Sequence, residues 1–217
     1  MSATASTATP TAPAAAPAAE ATPYREAARE LLRDSLFDAA RALLAERPWA
    51  QISMAEVAAA AGVSRQTLYA QFGSREEFAQ RFVIREGARF IEEVRRAIHA
   101  HLDDPARAMR AGLEAFLSSA AEDPLIGLLL ADDGTGGMLP LVTTRSRPVL
   151  EWAAGRLAET MRACWPGVKQ RDARLLADTF VRLALSYVTL PARDTPAATA
   201  ADAARLLAPY VERSLSR

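Results

Sequence analysis

Residues 52–72 read ISMAEVAAAAGVSRQTLYAQF and divide into two short helical segments around Gly62. Ser53 and Glu56 have the spacing of a capping box, which marks a helix N-terminus. Gly62 can adopt the left-handed conformation that ends such a helix. Ser64 is a typical N-cap for the segment that follows. Two short helices joined by a glycine-containing turn predict a helix-turn-helix unit.

The apolar residues of this unit predict which side of it faces DNA. We expect an inward face made of Met54, Val57, Ala58, Ala61, Leu68 and Phe72, with Val63 filling the turn. The outer surface and flanks of the second segment then carry Arg65, Gln66, Thr67 and Tyr69. In a major groove, arginine can bond guanine as a fork, glutamine can pair with adenine, and tyrosine can contact a thymine methyl or a phosphate. Ser53, Ser64 and Arg75 are predicted at helix N-termini, where backbone amides and a cation can bind phosphate.

Spacing alone leaves a second interpretation open, because any helical hairpin can turn at glycine and exposed polar residues are typical of a solvated face. The finer pattern resembles the DNA-binding domain of the TetR family. Matching positions are Ile52, Val57, Ala58, Ala61, Gly62, Val63, Ser64, Thr67, Leu68, Tyr69, Phe72, Ser74, Glu76 and Phe78. This sequence departs from the family pattern at Ser53 (for Thr), Gln71 (where His is frequent) and Arg75 (for Lys). The resemblance implies that Gln71 contacts a phosphate.

The resemblance also implies an architecture and a function. We expect an all-α protein of about nine or ten helices, with an N-terminal three-helix helix-turn-helix domain and a larger C-terminal helical domain for ligand binding and dimerisation. The expected activity is that of a homodimeric transcriptional repressor, released from palindromic double-stranded operator DNA by a small lipophilic ligand.

Punctuating residues predict the organisation of the whole chain. Residues 1–23 are rich in Ala, Pro and Thr and are predicted to be a disordered tail. We predict a DNA-binding domain over residues 24–73 and a ligand-binding and dimerisation domain over residues 74–217. Helices are predicted over residues 25–47, 53–62, 64–72, 74–100, 105–121, 124–130, 148–164, 170–190 and 199–215, with a loop over 132–137.

The larger domain offers candidates for a pocket and a dimer interface. The bulky residues that we expect to line a pocket are Phe90, Phe116, Leu128, Trp152, Met161, Phe180 and Tyr187. Few charged residues share their stripes, so the predicted effector is apolar, such as a fatty acid or a similar lipophilic compound. The last two helices carry thick apolar stripes, which fit either core packing or the four-helix interface that the family usually forms.

Composition excludes several other classes of protein. The 217 residues have a formal net charge of zero, which does not exclude a local basic surface for DNA. Apolar runs stay well short of the roughly 18 residues that a membrane span needs. Cys164 is the only cysteine, so no intramolecular disulfide can form and a cytoplasmic location fits.

An enzyme and a helical adaptor are the rival interpretations. The chain has two histidines, His99 and His101, and it has no P-loop, dinucleotide fingerprint or nucleophile motif. We therefore expect no catalytic residues and no cofactor. Asp132-Asp133-Gly134 lacks the spacing of a calcium loop, so no metal site is predicted. An adaptor that had lost DNA binding would carry acidic or apolar residues in place of Arg65, Gln66 and Tyr69.

Overall fold

The computed structural model describes residues 21–130 and 137–215, and within these ranges every regular element is a helix. The α-helices are α1 (Ala21–Leu44), α2 (Met54–Ala60), α3 (Arg65–Phe72), α4 (Arg75–His99), α5 (Pro105–Glu122), α6 (Pro124–Leu130), α7 (Leu139–Val142), α8 (Arg147–Cys164), α9 (Gln170–Thr189) and α10 (Pro196–Leu215). A short 3-10 helix, Trp49–Gln51, precedes α2. The predicted all-α fold is confirmed.

Local capping chemistry sets the ends of the short helices. Ser53 and Glu56 form the complete capping box at the start of α2. Gly62 has φ +71°, which allows the chain to turn between α2 and α3. The Ser64 hydroxyl accepts the backbone N–H of Thr67 at 3.1 Å and caps α3. These four residues behave as the sequence predicts.

A first apolar core joins α1, α2 and α3 to the N-terminal half of α4. Its centre is aromatic, because the Phe72 and Phe78 rings meet edge to face at 4.8 Å between centroids and Trp49 stacks on Phe78. Leu125 and Val149, which come from α6 and α8, also belong to this core. The packing therefore continues across the boundary that we predicted between residues 73 and 74.

A second core fills the space between the C-terminal half of α4 and helices α5, α8, α9 and α10. Val94 and Ile98 are the α4 residues at its centre, and Met161 and Ala173 are fully buried within it. Helix α4 thus contributes one half of its length to each core. A rotation of α4 would therefore change the packing in both cores.

Helices α1 and α10 differ from the sequence predictions in their bounds, and α7 is an additional helix. Helix α1 ends at Leu44, three residues before the predicted end at Arg47. Helix α1 begins at Ala21, so the last three residues of the predicted tail are helical, and Pro23 is tolerated because it lies in the first turn. Helix α10 begins at Pro196, three residues before the predicted Thr199, with proline at its first position. Helix α7 was not predicted, because four residues are too few to show helical periodicity. Residues 1–20 and the Asp132-Asp133-Gly134 stretch lie outside the described residues.

Candidate DNA-binding surface and ligand cavities

The outer face of α3 presents the two residues expected to read bases. Arg65 and Gln66 are exposed, whereas Leu68 and Phe72 on the opposite side are buried. The Arg65 guanidinium lies 5.3 Å from the centroid of the Tyr69 ring, a cation–π arrangement one turn along the helix. Tyr69 is half-buried, so its ring supports the arginine from the side of the core. The two residues that are expected to read bases therefore lie on the solvent-facing side of α3.

The hydroxyl groups of the predicted site are already bonded within the protein. Ser64 Oγ and Thr67 Oγ1 lie 2.9 Å apart and share a hydrogen bond. Ser53 Oγ donates to Glu56 Oε2 at 2.8 Å and accepts the Glu56 backbone N–H at 3.3 Å. A hydroxyl can still accept from or donate to a further group. These hydroxyl groups therefore already form the hydrogen bonds that shape the starts of α2 and α3, and a contact with phosphate would be an additional one.

Glu56 is an anchor between α2 and the segment after α1. Two hydrogen bonds from Ser53, the backbone one being the stronger cause, lower the pKa of Glu56 to about 2. The Arg47 guanidinium, 2.7 Å from Glu56 Oε1, contributes in the same direction. The carboxylate is therefore ionised at neutral pH.

Arg75 has an intramolecular role that the sequence did not indicate. Its Nη2 donates to the Trp49 carbonyl at 2.6 Å and its Nη1 donates to the Ile52 carbonyl. The guanidinium stacks on the Trp49 ring, and burial lowers the pKa of Arg75. The phosphate contact that we expected of Arg75 stays a prediction. The geometry favours a supporting role, in which Arg75 fixes the start of α4 to the loop before α2.

Gln71 lies half-buried near the end of α3. Its backbone carbonyl accepts a hydrogen bond from Arg81 Nη1 at 3.4 Å, and the Arg81 guanidinium lies 5.7 Å from the centroid of the Phe72 ring. Arg81 is an exposed cation beside α3 that the sequence pattern does not indicate, because it lies on the next helix, α4, ten residues after Gln71. The contact predicted for the Gln71 side chain stays a prediction.

Four of the seven predicted pocket residues line one cavity. Phe90, Phe116, Trp152 and Phe180 surround an apolar space of about 70 Å³, with the Phe90 and Phe116 rings edge to face at 5.7 Å. Met161 lines no described cavity and is a fully buried core residue. The side chain of Leu128 lies outside the described residues. Tyr187 lines a different and larger cavity.

The larger cavity has a volume of about 390 Å³ and lies where α5, α6, α9 and α10 approach each other. Leu117, Ile126, Tyr187 and Val188 supply much of its apolar wall, together with the loop that follows α9. Only Tyr187 among them is a residue that the sequence predicts to line a pocket. Helix ends and a connecting loop form this cavity, so no periodic stripe indicates it.

A cluster of charges, also missed by the sequence analysis, joins the two cores. Glu86 is 6% exposed and pairs with Arg41 of α1, with Arg85 Nη1 at 3.1 Å and with Arg89 Nη1 at 3.7 Å. Asp123 Oδ2 lies 3.7 Å from Arg41 and 3.5 Å from Arg89. One signal was available, because Glu86 stands on the apolar stripe of α4, four residues from Phe82 and four from Phe90. A buried carboxylate needs charged or polar partners.

Neither a metal-binding cluster nor a membrane-spanning helix is found in the described ranges. Among residues 21–130 and 137–215, no group of three or more His, Cys, Asp or Glu side chains is placed to hold a metal ion. None of the helices in this part of the chain is long and apolar enough to cross a membrane.

These features define a helix-turn-helix regulator with a helical domain that holds ligand-sized space. Residues 36–82 match the family model described as bacterial regulatory proteins, tetR family, and residues 104–209 match the bacterial tetracyclin repressor C-terminal domain. The HTH-type transcriptional regulator AlkX of Mycobacterium tuberculosis is 41% identical over 191 residues, which cover 88% of this chain and 90% of that protein. The chain belongs to the TetR family of bacterial transcriptional regulators, and it is not an enzyme.

Solved structures of the family share this fold. The TetR family repressor AlkX of Dietzia sp. strain DQ12-45-1b, implicated in biodegradation of n-alkanes, has a TM-score of 0.73 and 35% identity, covering 84% of this chain and 96% of that one. The Thermus thermophilus repressor FadR, in complex with lauroyl-CoA, has a TM-score of 0.57 and 23% identity, covering 81% and 93% of the two chains. The second likeness shows the fold alone.

Proposed function

We propose that this TetR-family regulator is a homodimeric repressor that binds palindromic operator DNA through α3 and is released by a small apolar effector. The observation that carries the proposal is the exposed edge of α3, where Arg65 and Gln66 face solvent and Tyr69 supports the arginine. A short helix with these groups in its first turns fits the major groove, where they can bond base edges.

The remaining residues of the proposed DNA surface have positioning roles. Ser53, Ser64 and Thr67 shape the helix N-termini that face the phosphates, and the phosphate contact of Gln71 belongs to the same proposal. We assign DNA binding to residues 24–73 together with the first half of α4, which shares their apolar core. Ligand binding and dimerisation are assigned to the rest of the chain through residue 217. A DNA-binding repressor acts in the cytoplasm, where bacterial chromosomal DNA is found.

The proposed dimer interface is the outer face of α9 and α10. Tyr210 Oη donates to Asp172 Oδ1 at 3.0 Å and ties the end of α10 to the start of α9. Leu175 lies three residues after Asp172 and Leu206 lies four residues before Tyr210, so each shares a helix face with a partner of that bond. Leu175 is 50% exposed and Leu206 is 82% exposed. Such leucines are typical of a two-fold interface that the partner copy covers.

Two cavities compete as the effector site, and volume favours one of them. Small-molecule sites occupy about 300–1,000 Å³. The cavity of about 390 Å³ falls within this range, whereas the cavity of about 70 Å³ among the four aromatic residues falls far below it. The larger cavity is also mostly apolar, which supports an aliphatic compound such as a fatty acid or a similar lipophile. The n-alkane connection of the Dietzia repressor supports the same class.

Selection of bound duplexes from random DNA tests the proposed function. Purified protein is expected to enrich one sequence with two-fold symmetry, whose half-sites are centred about one helical turn, or a multiple of it, apart. Enrichment that follows only base composition, or no enrichment above unselected DNA, would contradict sequence-specific binding by this protein.

A further inference from the structure

Asp123 belongs to the larger cavity and to the charged cluster at the same time. It stands between α5 and α6 and lines the cavity of about 390 Å³. Its carboxylate also faces Arg41 Nη2 at 3.7 Å, and Arg41 lies on α1, whose neighbouring residues Leu36, Phe37, Ala40 and Leu44 belong to the first core. Asp123 is therefore a direct side-chain link between the wall of the cavity and the DNA-binding unit.

The backbone around Asp123 makes it follow any movement of the cavity wall. It is the C-cap of α5, and its backbone N–H donates to the Ser119 carbonyl at 3.0 Å. Its Oδ1 accepts the backbone N–H of Leu125 at 2.9 Å and so caps α6. Leu117 of α5 and Ile126 of α6, on either side of Asp123 in sequence, both line the cavity. An occupant that separates α5 from α6 must therefore move the Asp123 carboxylate.

The charged cluster converts such a movement into a change at α1. Arg85 of α4 pairs with two α1 residues, Asp38 at 2.5 Å and Asp34 at 3.7 Å, while it also reaches Glu86. The other link is Arg41, whose charge is shared between Glu86 and Asp123. Charge pairs weaken with distance, and they do so more strongly where solvent is partly excluded. If Asp123 moves away, Arg41 keeps only its pair with Glu86. The set of ion pairs that holds α1 against α4 therefore changes.

We propose that an aliphatic molecule binds in the cavity between α5, α6, α9 and α10, and that Asp123 transmits its binding to the DNA-binding unit by loosening the contact with Arg41. This inference rests on the proposed function and gives its effector a location and a route. In the ligand-free protein the Asp123–Arg41 contact supports the arrangement that binds operator. The occupied cavity favours the arrangement without that contact, so ligand and operator oppose each other.

The location is tested with 1-decanol, an uncharged aliphatic probe, by titration calorimetry. Gly127 lines the cavity and a Cβ added there meets nothing within 4 Å, so Gly127→Leu places a bulky side chain at the cavity wall without a backbone clash. Gly155→Leu is the matched control, because Gly155 also has open space around it and lines none of the described cavities. We expect the leucine at 127 to weaken decanol binding by about tenfold or more, and the control to change it by less than about twofold. Equal affinity of the two variants, or no binding to the wild type, overturns the location.

The route is tested by a substitution that removes the charge of Asp123 but keeps its hydrogen bond to the start of α6. Asn can accept the Leu125 N–H as Asp does, so Asp123→Asn removes the charge and retains the helix start. Asp103→Asn is the matched control, because Asp103 is exposed, lines neither cavity and makes no ion pair in the described part of the chain. Saturating decanol is expected to lower operator affinity about tenfold in the wild type and the control, and less than about threefold in Asp123→Asn.

The outcomes separate this inference from the function on which it rests. Without DNA, Asp123→Asn is expected to bind decanol at least as tightly as the wild type, because the contact that the occupied arrangement must break is already absent. The route is overturned if decanol releases operator equally from Asp123→Asn and from the wild type. In that case, Arg41→Gln is also expected to release operator as the wild type does. If Asp123→Asn does not fold, Arg41→Gln alone tests the route, since Glu86 keeps Arg85 and Arg89. A wild-type protein that binds no operator would instead contradict the proposed function.

Discussion

The Arg75 guanidinium lies 4.3 Å from the centroid of the Trp49 ring and donates a hydrogen bond to the Trp49 carbonyl oxygen. Trp49 in turn stacks on Phe78, which is fully buried in the first core. Helix α4 is thereby fastened at its first residue to the loop that precedes the helix-turn-helix. This contact is therefore expected to stabilise the packing of α4 against the helix-turn-helix unit, and its strength can be measured.

Arg75→Ala is expected to lower the free energy of unfolding by about 1–3 kcal/mol, because it removes a cation–π contact and leaves carbonyl groups without their donor. Urea unfolding measures this loss. The matched control is Arg81→Ala, an exposed arginine beside Phe72 with one long hydrogen bond, for which we expect about 1 kcal/mol or less. The phosphate contact predicted for Arg75 is tested by the salt dependence of operator binding, which should be weaker in Arg75→Ala than in the wild type. Full stability of Arg75→Ala would contradict the supporting role, and an unchanged salt dependence would contradict the phosphate contact.

Acid sensitivity is expected to depend on Glu56. Its pKa is about 2 in the folded protein, below the ordinary value of 4.5, so its contribution to stability is present above pH 4.5 and is lost as the pH falls toward 2. Glu56→Gln should therefore be less stable than the wild type at pH 6, and the difference should shrink by about pH 3. Urea midpoints at the two pH values test this.

Arg47→Gln is the control for the Glu56 prediction. The hydrogen bonds from Ser53 are the larger causes of the lowered pKa of Glu56, so this variant should keep most of the pH dependence. A difference between Glu56→Gln and wild type that is the same at pH 6 and at pH 3 would contradict the prediction.

The dimer is expected to depend on Leu206. Leu206→Glu places a charge on a face that the partner copy is proposed to cover, which should shift the protein toward monomer at micromolar concentration. Sedimentation equilibrium measures the change. Leu102→Glu is the matched control, because Leu102 is 41% exposed and lies outside α9 and α10. Two variants with the same association constant would contradict the proposed interface.

Met161 is expected to support the core and not the ligand. Its side chain is fully buried in the second core, so Met161→Ala should cost about 2–5 kcal/mol of unfolding free energy through the cavity it creates. Affinity for 1-decanol, measured where the variant is still folded, should stay within about twofold of wild type. If Met161→Ala keeps full stability but loses decanol affinity, Met161 contacts the ligand and the prediction is wrong.

The sequence predicts best what depends on residues three or four positions apart. The caps at Ser53 and Ser64 and the turn at Gly62 are of this kind, and all three are found as predicted. Arg75 is a mixed case. Its place at the start of α4 follows from the sequence, but the direction of its side chain is set by Trp49, 26 residues earlier.

The ligand domain was predicted less well, for a physical reason. Large apolar residues were expected around a pocket, yet Met161 fills the core, and Phe90 and Phe116 pack edge to face around a small space. The larger cavity arises where helix ends do not meet, which depends on tertiary packing. The pairing of Asp123 with Arg41 also depends on tertiary packing, and the one signal in the sequence, Glu86 on an apolar stripe, does not identify its partners.

Operator recognition by α3 is tested most directly by Arg65→Ala, with affinity measured on the selected palindrome and on a scrambled duplex. Arg107→Ala, an exposed arginine of α5, is the matched control for loss of one positive charge. We expect Arg65→Ala to lose about 1–3 kcal/mol on the palindrome, with relaxed preference at one base position and little change on the scrambled duplex, while Arg107→Ala binds both as wild type does. Wild-type affinity and preference in Arg65→Ala would contradict the assignment of α3 as the recognition helix.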